Sequence, residues 1–219
     1  MKIHILPSLL AADLGQLSNE IKRVADAGAD ELHLDIMDGH FVPNLSFSPD
    51  ISALCRKILP KDFPINTHLM MTNPEKYAER FIEKGSTTVQ FHLETAADVR
   101  PLAARIHALG ARVGLVLNPS TAVEKAFDYL DCADEILCMT VVPGYGGQSF
   151  MHEVLPKIAA LRANNAYIDI MVDGGINFET AALAAAAGAN QFVAGSFLFK
   201  AQAMAATITE LRHRISSAR

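Results

Sequence analysis

The sequence predicts a (β/α)8 barrel. Strand-like and amphipathic helical runs alternate eight times along 219 residues. Several helical runs stop at a glycine that leads at once into the next strand. The turn after the first strand, Ser8-Leu9-Leu10-Ala11-Ala12-Asp13, lacks the Gly-x-Gly-x-x-Gly pattern that an open dinucleotide-binding sheet would want.

The elements follow in order. A first strand over 3–7 precedes a helix over 15–27, which ends at Ala27-Gly28-Ala29-Asp30. Strand 31–37 precedes helix 50–58. Strand 64–70 is followed by a helix over 74–84, opened by Asn73-Pro74 and closed by Lys84-Gly85-Ser86-Thr87. Strand 87–92 leads to helix 97–108, which stops at Leu109-Gly110-Ala111-Arg112. Strand 112–118 precedes a helix over 121–129 that Ser120 would cap. Strand 134–140 pairs with helix 151–163, and strand 167–173 with helix 177–187, capped by Asn177 and ended by Ala187-Gly188-Ala189-Asn190. Strand 190–195 and helix 203–215 complete the set. Glycine after the last turn permits a left-handed cap. No linker or composition break interrupts the pattern, so residues 1–219 are expected to form a single barrel domain.

Composition narrows the function classes. Half of the residues are apolar and a fifth charged, as in ordinary soluble globular proteins. A net charge of −5 argues against nucleic acid or an anionic membrane as a partner. No apolar run reaches transmembrane length and the N-terminus lacks a signal-peptide pattern, so a cytoplasmic location is expected. Cys55, Cys132 and Cys138 are odd in number and show no Cys-x-x-Cys spacing, so they are expected in the core, without disulfides or a cysteine metal site.

Chemistry concentrates at the strand ends. Residues two apart on a strand share a face, so His33 and Asp35 point together with Met37, and Asn66 and His68 with Met70. Asp173 stands where the apolar run Met171-Val172 meets Gly174-Gly175. Barrel active sites lie at the C-terminal strand ends, where these residues would converge with Ser8. Two imidazoles and two carboxylates in one space suit a divalent metal, with Zn²⁺, Fe²⁺, Mn²⁺ and Co²⁺ all compatible. Glycine loops follow the last three strands: Pro143-Gly144-Tyr145-Gly146-Gly147-Gln148, Gly174-Gly175 and Gly195-Ser196. Loops of this kind bind phosphate through backbone N–H groups. Phosphate binding at these loops is therefore expected.

Long motifs then identify a resemblance. Leu6-Pro7-Ser8-Leu9-Leu10-Ala11-Ala12-Asp13, the run His33–Asn44, His68-Leu69-Met70, the run Met139–Phe150, Val172-Asp173-Gly174-Gly175-Ile176 and Val193-Ala194-Gly195-Ser196 resemble the ribulose-phosphate 3-epimerase family, in order, over essentially the whole chain. The resemblance implies a barrel of the ribulose-phosphate-binding type that interconverts D-ribulose 5-phosphate and D-xylulose 5-phosphate in the pentose phosphate pathway. It implies a small-molecule sugar phosphate as partner, one divalent metal held by His33, Asp35, His68 and Asp173, and a homo-oligomer. Asp35 and Asp173 would be the catalytic acid/base pair, one removing the C3 proton and the other returning it on the opposite face through an enediolate. Met37, Met70 and Met139 would wall off the enediolate from water. Substrate contacts are expected from Ser8, His68, Gly144, Gly146, Gly147, Gly174, Gly175, Gly195 and Ser196, with Asn44 beside them. Direct roles for His40 and His92 are left open.

Three positions depart from the family pattern: Val142 replaces a polar residue, Asn66 stands for a common Asp, and Leu93 for a common Pro. Asn66 is expected to tune His68 if the two touch, and Val142 to alter the substrate pocket. An epimerase of another ketose phosphate, such as D-allulose 6-phosphate, is the nearest rival. A related-barrel decarboxylase or aldolase is disfavoured because Met37 stands where such enzymes carry lysine in an Asp-x-Lys arrangement. A non-catalytic sugar-phosphate binder would not need Asp35 and Asp173 together.

Overall fold

A computed structural model describes residues 1–219. Eight parallel strands form one sheet: β1 His4–Pro7, β2 Leu32–Met37, β3 Ile65–Met70, β4 Thr88–His92, β5 Arg112–Leu117, β6 Glu135–Met139, β7 Asp169–Asp173 and β8 Gln191–Ala194. The strand order β1-β8-β7-β6-β5-β4-β3-β2 leaves β1 and β2 facing each other, and the parallel bridge between Ser8 and His33 spans that seam. The result is a nearly closed (β/α)8 barrel.

The outer ring consists of α1 Leu17–Asp26, α2 Asp50–Ile58, α3 Ala78–Glu83, α4 Val99–Ala108, α5 Glu124–Phe127, α6 Leu155–Asn164, α7 Phe178–Ala187, α8 Ser196–Phe199 and α9 Met204–Ser217. Each long helix turns an apolar stripe inward. In α9, Met204, Ile208, Leu211 and Ile215 recur at helical spacing and are buried. Burying each such side chain contributes about 1.5–3 kcal/mol. Together with the outward side chains of the strands they build the main core. No helix is long and apolar enough to cross a membrane.

The predicted glycine stops are present: Gly28, Gly85, Gly110 and Gly188 all have positive φ. Asn177 caps α7 by accepting from the backbone N–H groups of Glu179 and Thr180, while Thr180 returns the bond to the Asn177 N–H. Two expected helices are markedly shorter. The run 74–84 divides into a 3-10 turn at Pro74–Lys76 and α3, and the helix expected over 121–129 shrinks to α5, without capping by Ser120.

The barrel interior is divided. Leu6, Val116, Leu137, Met139, Val141, Met171 and Val193 form a buried apolar cluster separate from the outer core. The β2–β4 side instead buries His33, Asp35, Asn66, His68, Gln90 and His92. Toward the strand N-termini, Asn66 Nδ2 and Gln90 Nε2 both donate to Glu135 Oε1, at 2.9 and 2.6 Å. Gly114 makes room for that layer, since a Cβ there would lie 2.5 Å from Gln90 Cγ. Cys55 and Cys138 are buried, Cys132 partly so, and all three are free.

Candidate active site

Strand alternation carries His33 and Asp35 into the barrel from β2, His68 from β3, and Asp173 from the end of β7. One ligand atom from each lies within 4.8 Å of all the others. The cluster is tightly bonded on one side and open on the other. Ser8 Oγ donates to Asp35 Oδ2 at 2.5 Å, and His68 Nδ1 stands 3.0 Å from Asp35 Oδ1. His33 Nε2 lies 3.3 Å from the same Oδ1, yet neither ring nitrogen of this fully buried histidine has a hydrogen-bond partner. Buried polar atoms are nearly always satisfied. An unpartnered imidazole beside two carboxylates and a second imidazole is a donor set that fits a divalent cation.

The two carboxylates are pushed in opposite directions. Burial disfavours the charge of Asp35, but the His33 and His68 imidazoles override it and hold the carboxyl far below its usual range. Asp173 is raised, first by burial and then by the charge of Asp35, with His33 opposing. Burial also lowers His68, to about 4, against the pull of Asp35. The protein groups alone thus bias Asp35 toward its ionised form and Asp173, raised to about 7, toward holding a proton near neutral pH, the asymmetry an acid/base couple needs.

Above the cluster opens a cavity of about 710 Å³, within the usual range for small-molecule sites. Its floor includes Ser8, Asp35 and Asp173, and its wall includes Met37, Met70 and Met139. Gly144, Gly146, Gly147, Gly174, Gly175, Gly195 and Ser196 all line it, as the strand-end loops predict. Gly174 and Gly175 have positive φ, and a Cβ on Gly175 would sit 2.5 Å from the Phe150 backbone nitrogen. Only glycine fits that approach of the loops after β6 and β7.

Several expectations change. Asn66 does not touch His68; its amide donates to Glu135, one layer deeper in the barrel. Val142 is 60% exposed and lines a neighbouring hollow rather than the main cavity. Asn44 ties two loops together, its Nδ2 donating to Gly144 O at 2.8 Å, while Tyr145 Oη donates to Pro43 O at 2.7 Å. His40 bonds the backbone oxygen of its neighbour Asp38 and stays out of the cavity. His33 and His68, fully buried, lie below the cavity lining, so His68 does not present itself to a ligand there directly.

Sequence reasoning left the role of His92 open and missed Glu94 and Lys200. His92 is buried with Nε2 2.9 Å from His68 Nε2, and its Nδ1 faces Glu94 Oε2 at 3.4 Å. The His-x-Glu spacing at the end of β4 was the available signal. Lys200, four residues after Ser196, is the one lysine or arginine lining the cavity and stands with the β8 loop.

The model of the ribulose-phosphate 3 epimerase family matches residues 4–199. The chain is 40% identical over 215 residues to the ribulose-phosphate 3-epimerase of Bacillus subtilis, covering 96% of this chain and 98% of that one. It is 42% identical over 215 residues to the enzyme named as a cytoplasmic isoform in Oryza sativa, covering 96% and 93%. Among solved structures, KGPDC from Streptococcus mutans shares the fold at a TM-score of 0.72 with 14% identity, over 100% of this chain and 99% of that one. The chain belongs to the ribulose-phosphate 3-epimerase family.

Proposed function

We propose that this chain interconverts D-ribulose 5-phosphate and D-xylulose 5-phosphate by moving the C3 proton from one face of the substrate to the other. The observation that carries the reading is the pair Asp35 and Asp173, clustered beneath one cavity and biased toward opposite protonation states. Ionised Asp35 accepts the C3 proton and protonated Asp173 delivers one to the opposite face. The pair then stands with its protons exchanged, ready for the reverse direction. Ser8, bonded to Asp35 Oδ2, fixes the orientation of that carboxylate.

His33, Asp35, His68 and Asp173 would hold one divalent ion. When bound, it supplies Lewis-acid stabilisation of the negative charge that develops on the ketone and hydroxyl oxygens. Met37, Met70 and Met139 exclude water from the carbanionic centre. The glycine loops after β6, β7 and β8, with Ser196 and Lys200, would take the phosphate and so set which carbon lies between the two aspartates.

Turnover of ribulose 5-phosphate and allulose 6-phosphate, measured side by side on the metal-analysed protein, tests the proposal. Preference for the five-carbon sugar is expected. Turnover of the six-carbon sugar alone would overturn the substrate assignment.

A further inference from the structure

Resting on the metal reading above, we infer that Glu94 and His92 form a relay that sets the tautomer of His68, so that metal binding switches both imidazoles together. The argument is a count of protons. Four groups stand in a row: Asp35, His68, His92 and Glu94. Three gaps separate them: Asp35 Oδ1 to His68 Nδ1 at 3.0 Å, His68 Nε2 to His92 Nε2 at 2.9 Å, and His92 Nδ1 to Glu94 Oε2 at 3.4 Å. Carboxylate oxygens only accept, and a neutral imidazole carries one N–H and one bare nitrogen. Two neutral imidazoles therefore bring two protons to three gaps.

One gap must stay open, and the structure leaves the last one open. His92 Nδ1 is buried without a hydrogen-bond partner, although Glu94 Oε2 faces it. That pattern assigns Nδ1–H to His68, donating to Asp35, and Nε2–H to His92, donating to His68. Glu94 is meanwhile fixed in place by Thr121 Oγ1 and by the Asn118 N–H, both of which donate to its Oε1.

A cation at the Asp35–His68 gap removes the conflict. His68 Nε2 is engaged by His92, so Nδ1 is the nitrogen His68 has to offer. With Nδ1 given to the ion, the hydrogen between the two Nε2 atoms belongs to His68 rather than His92. The proton displaced from His68 Nδ1 reappears, through solvent, on His92 Nδ1, where it donates to Glu94. Both tautomers invert, the number of protons is unchanged, and every polar atom in the row is satisfied. Glu94 thereby acts as a positioning residue two groups removed from the ion, and partners of this kind typically change metal affinity by about 10–100-fold.

The test is imidazole ¹⁵N NMR of the full chain, free of metal and with Zn²⁺ added, together with Zn²⁺ affinity by chelator competition for the wild type, E94A and E94Q. His92 is expected to pass from the Nε2–H to the Nδ1–H form when Zn²⁺ binds. E94A should hold Zn²⁺ about 10–100-fold more weakly, and E94Q, which keeps one neutral acceptor, should fall between E94A and the wild type. An unchanged His92 tautomer in the folded wild type would overturn the relay, as would E94A affinity equal to that of the wild type. A wild type that binds no Zn²⁺ would instead overturn the metal reading itself, and the relay with it.

Discussion

Ser8 Oγ donates a 2.5 Å hydrogen bond to Asp35 Oδ2 across 27 positions of sequence. The bond lies at the β1–β2 seam, which the bridge between Ser8 and His33 helps to close. A buried hydrogen bond to a charged group is worth about 1.5–3 kcal/mol. Ser8→Ala is therefore expected to lower kcat/KM by roughly tenfold or more, because it leaves Asp35 free to turn within the cluster. Steady-state kinetics check this, with circular dichroism expected to show an unchanged fold.

Glycine carries two separable jobs. At Gly114 a Cβ would press on Gln90 Cγ at 2.5 Å, inside the closed polar layer, so Gly114→Ala should cost stability of about 1–3 kcal/mol, read as a lower Tm. At Gly175, where φ is +65°, a Cβ would displace the Phe150 backbone at the rim of the cavity. Gly175→Ala should raise KM and weaken competitive inhibition by inorganic phosphate, with a drop in Tm at least as large as that of Gly114→Ala, because the clash is with backbone and the positive φ adds strain.

Lys200 brings a positive charge to the end of the cavity lined by Gly195 and Ser196. A single exposed charge contact with phosphate is worth about 1 kcal/mol. Lys200→Ala should raise KM roughly fivefold at low salt, with kcat nearly unchanged and the difference shrinking as ionic strength rises.

The pH dependence of stability follows from Glu135. Burial raises its pKa above the ordinary 4.5, the charge of Glu31 adds to the shift, and Arg112 opposes it. The unfolded chain ionises this carboxyl near 4.5 while the folded chain keeps its proton to higher pH. Over that window the folded state binds more protons, so the contribution of Glu135 to stability declines as pH rises. Glu135→Gln retains the acceptor for Asn66 and Gln90 but cannot ionise. Thermal unfolding between pH 4 and 8 should show the variant gaining on the wild type as pH increases, by roughly 1 kcal/mol or more at the upper end.

Much of this architecture was legible from periodicity. The period of two placed His33 with Asp35 and His68 with Met70, and glycine stops marked the ends of four helices. Strand-end position was enough to bring Asp173 to the same mouth. Layering was not legible. Asn66 shares its strand face with His68 but sits one step lower, where the nearest polar partner comes from β6 and not from its own strand. Val142 was misread for a similar reason: Val141 and Pro143 turn toward the cavity while Val142 turns out to a neighbouring hollow. The four-residue helices α5 and α8 are too short to leave a periodic signature. The row from Asp35 to Glu94 depends on three strands and on the register that sets His68 beside β4, which no single segment encodes.

The central claim is that Asp35 and Asp173 each handle one face of the substrate. It is tested most directly by measuring exchange of the C3 hydrogen with solvent deuterium, alongside epimerisation, in Asp35→Asn and Asp173→Asn. Loss of either acid/base group should reduce epimerisation by about 10²–10⁴-fold, with the fold intact and with exchange abolished in the variant that lacks the base for the substrate supplied. Exchange at wild-type rates in both variants would contradict the account.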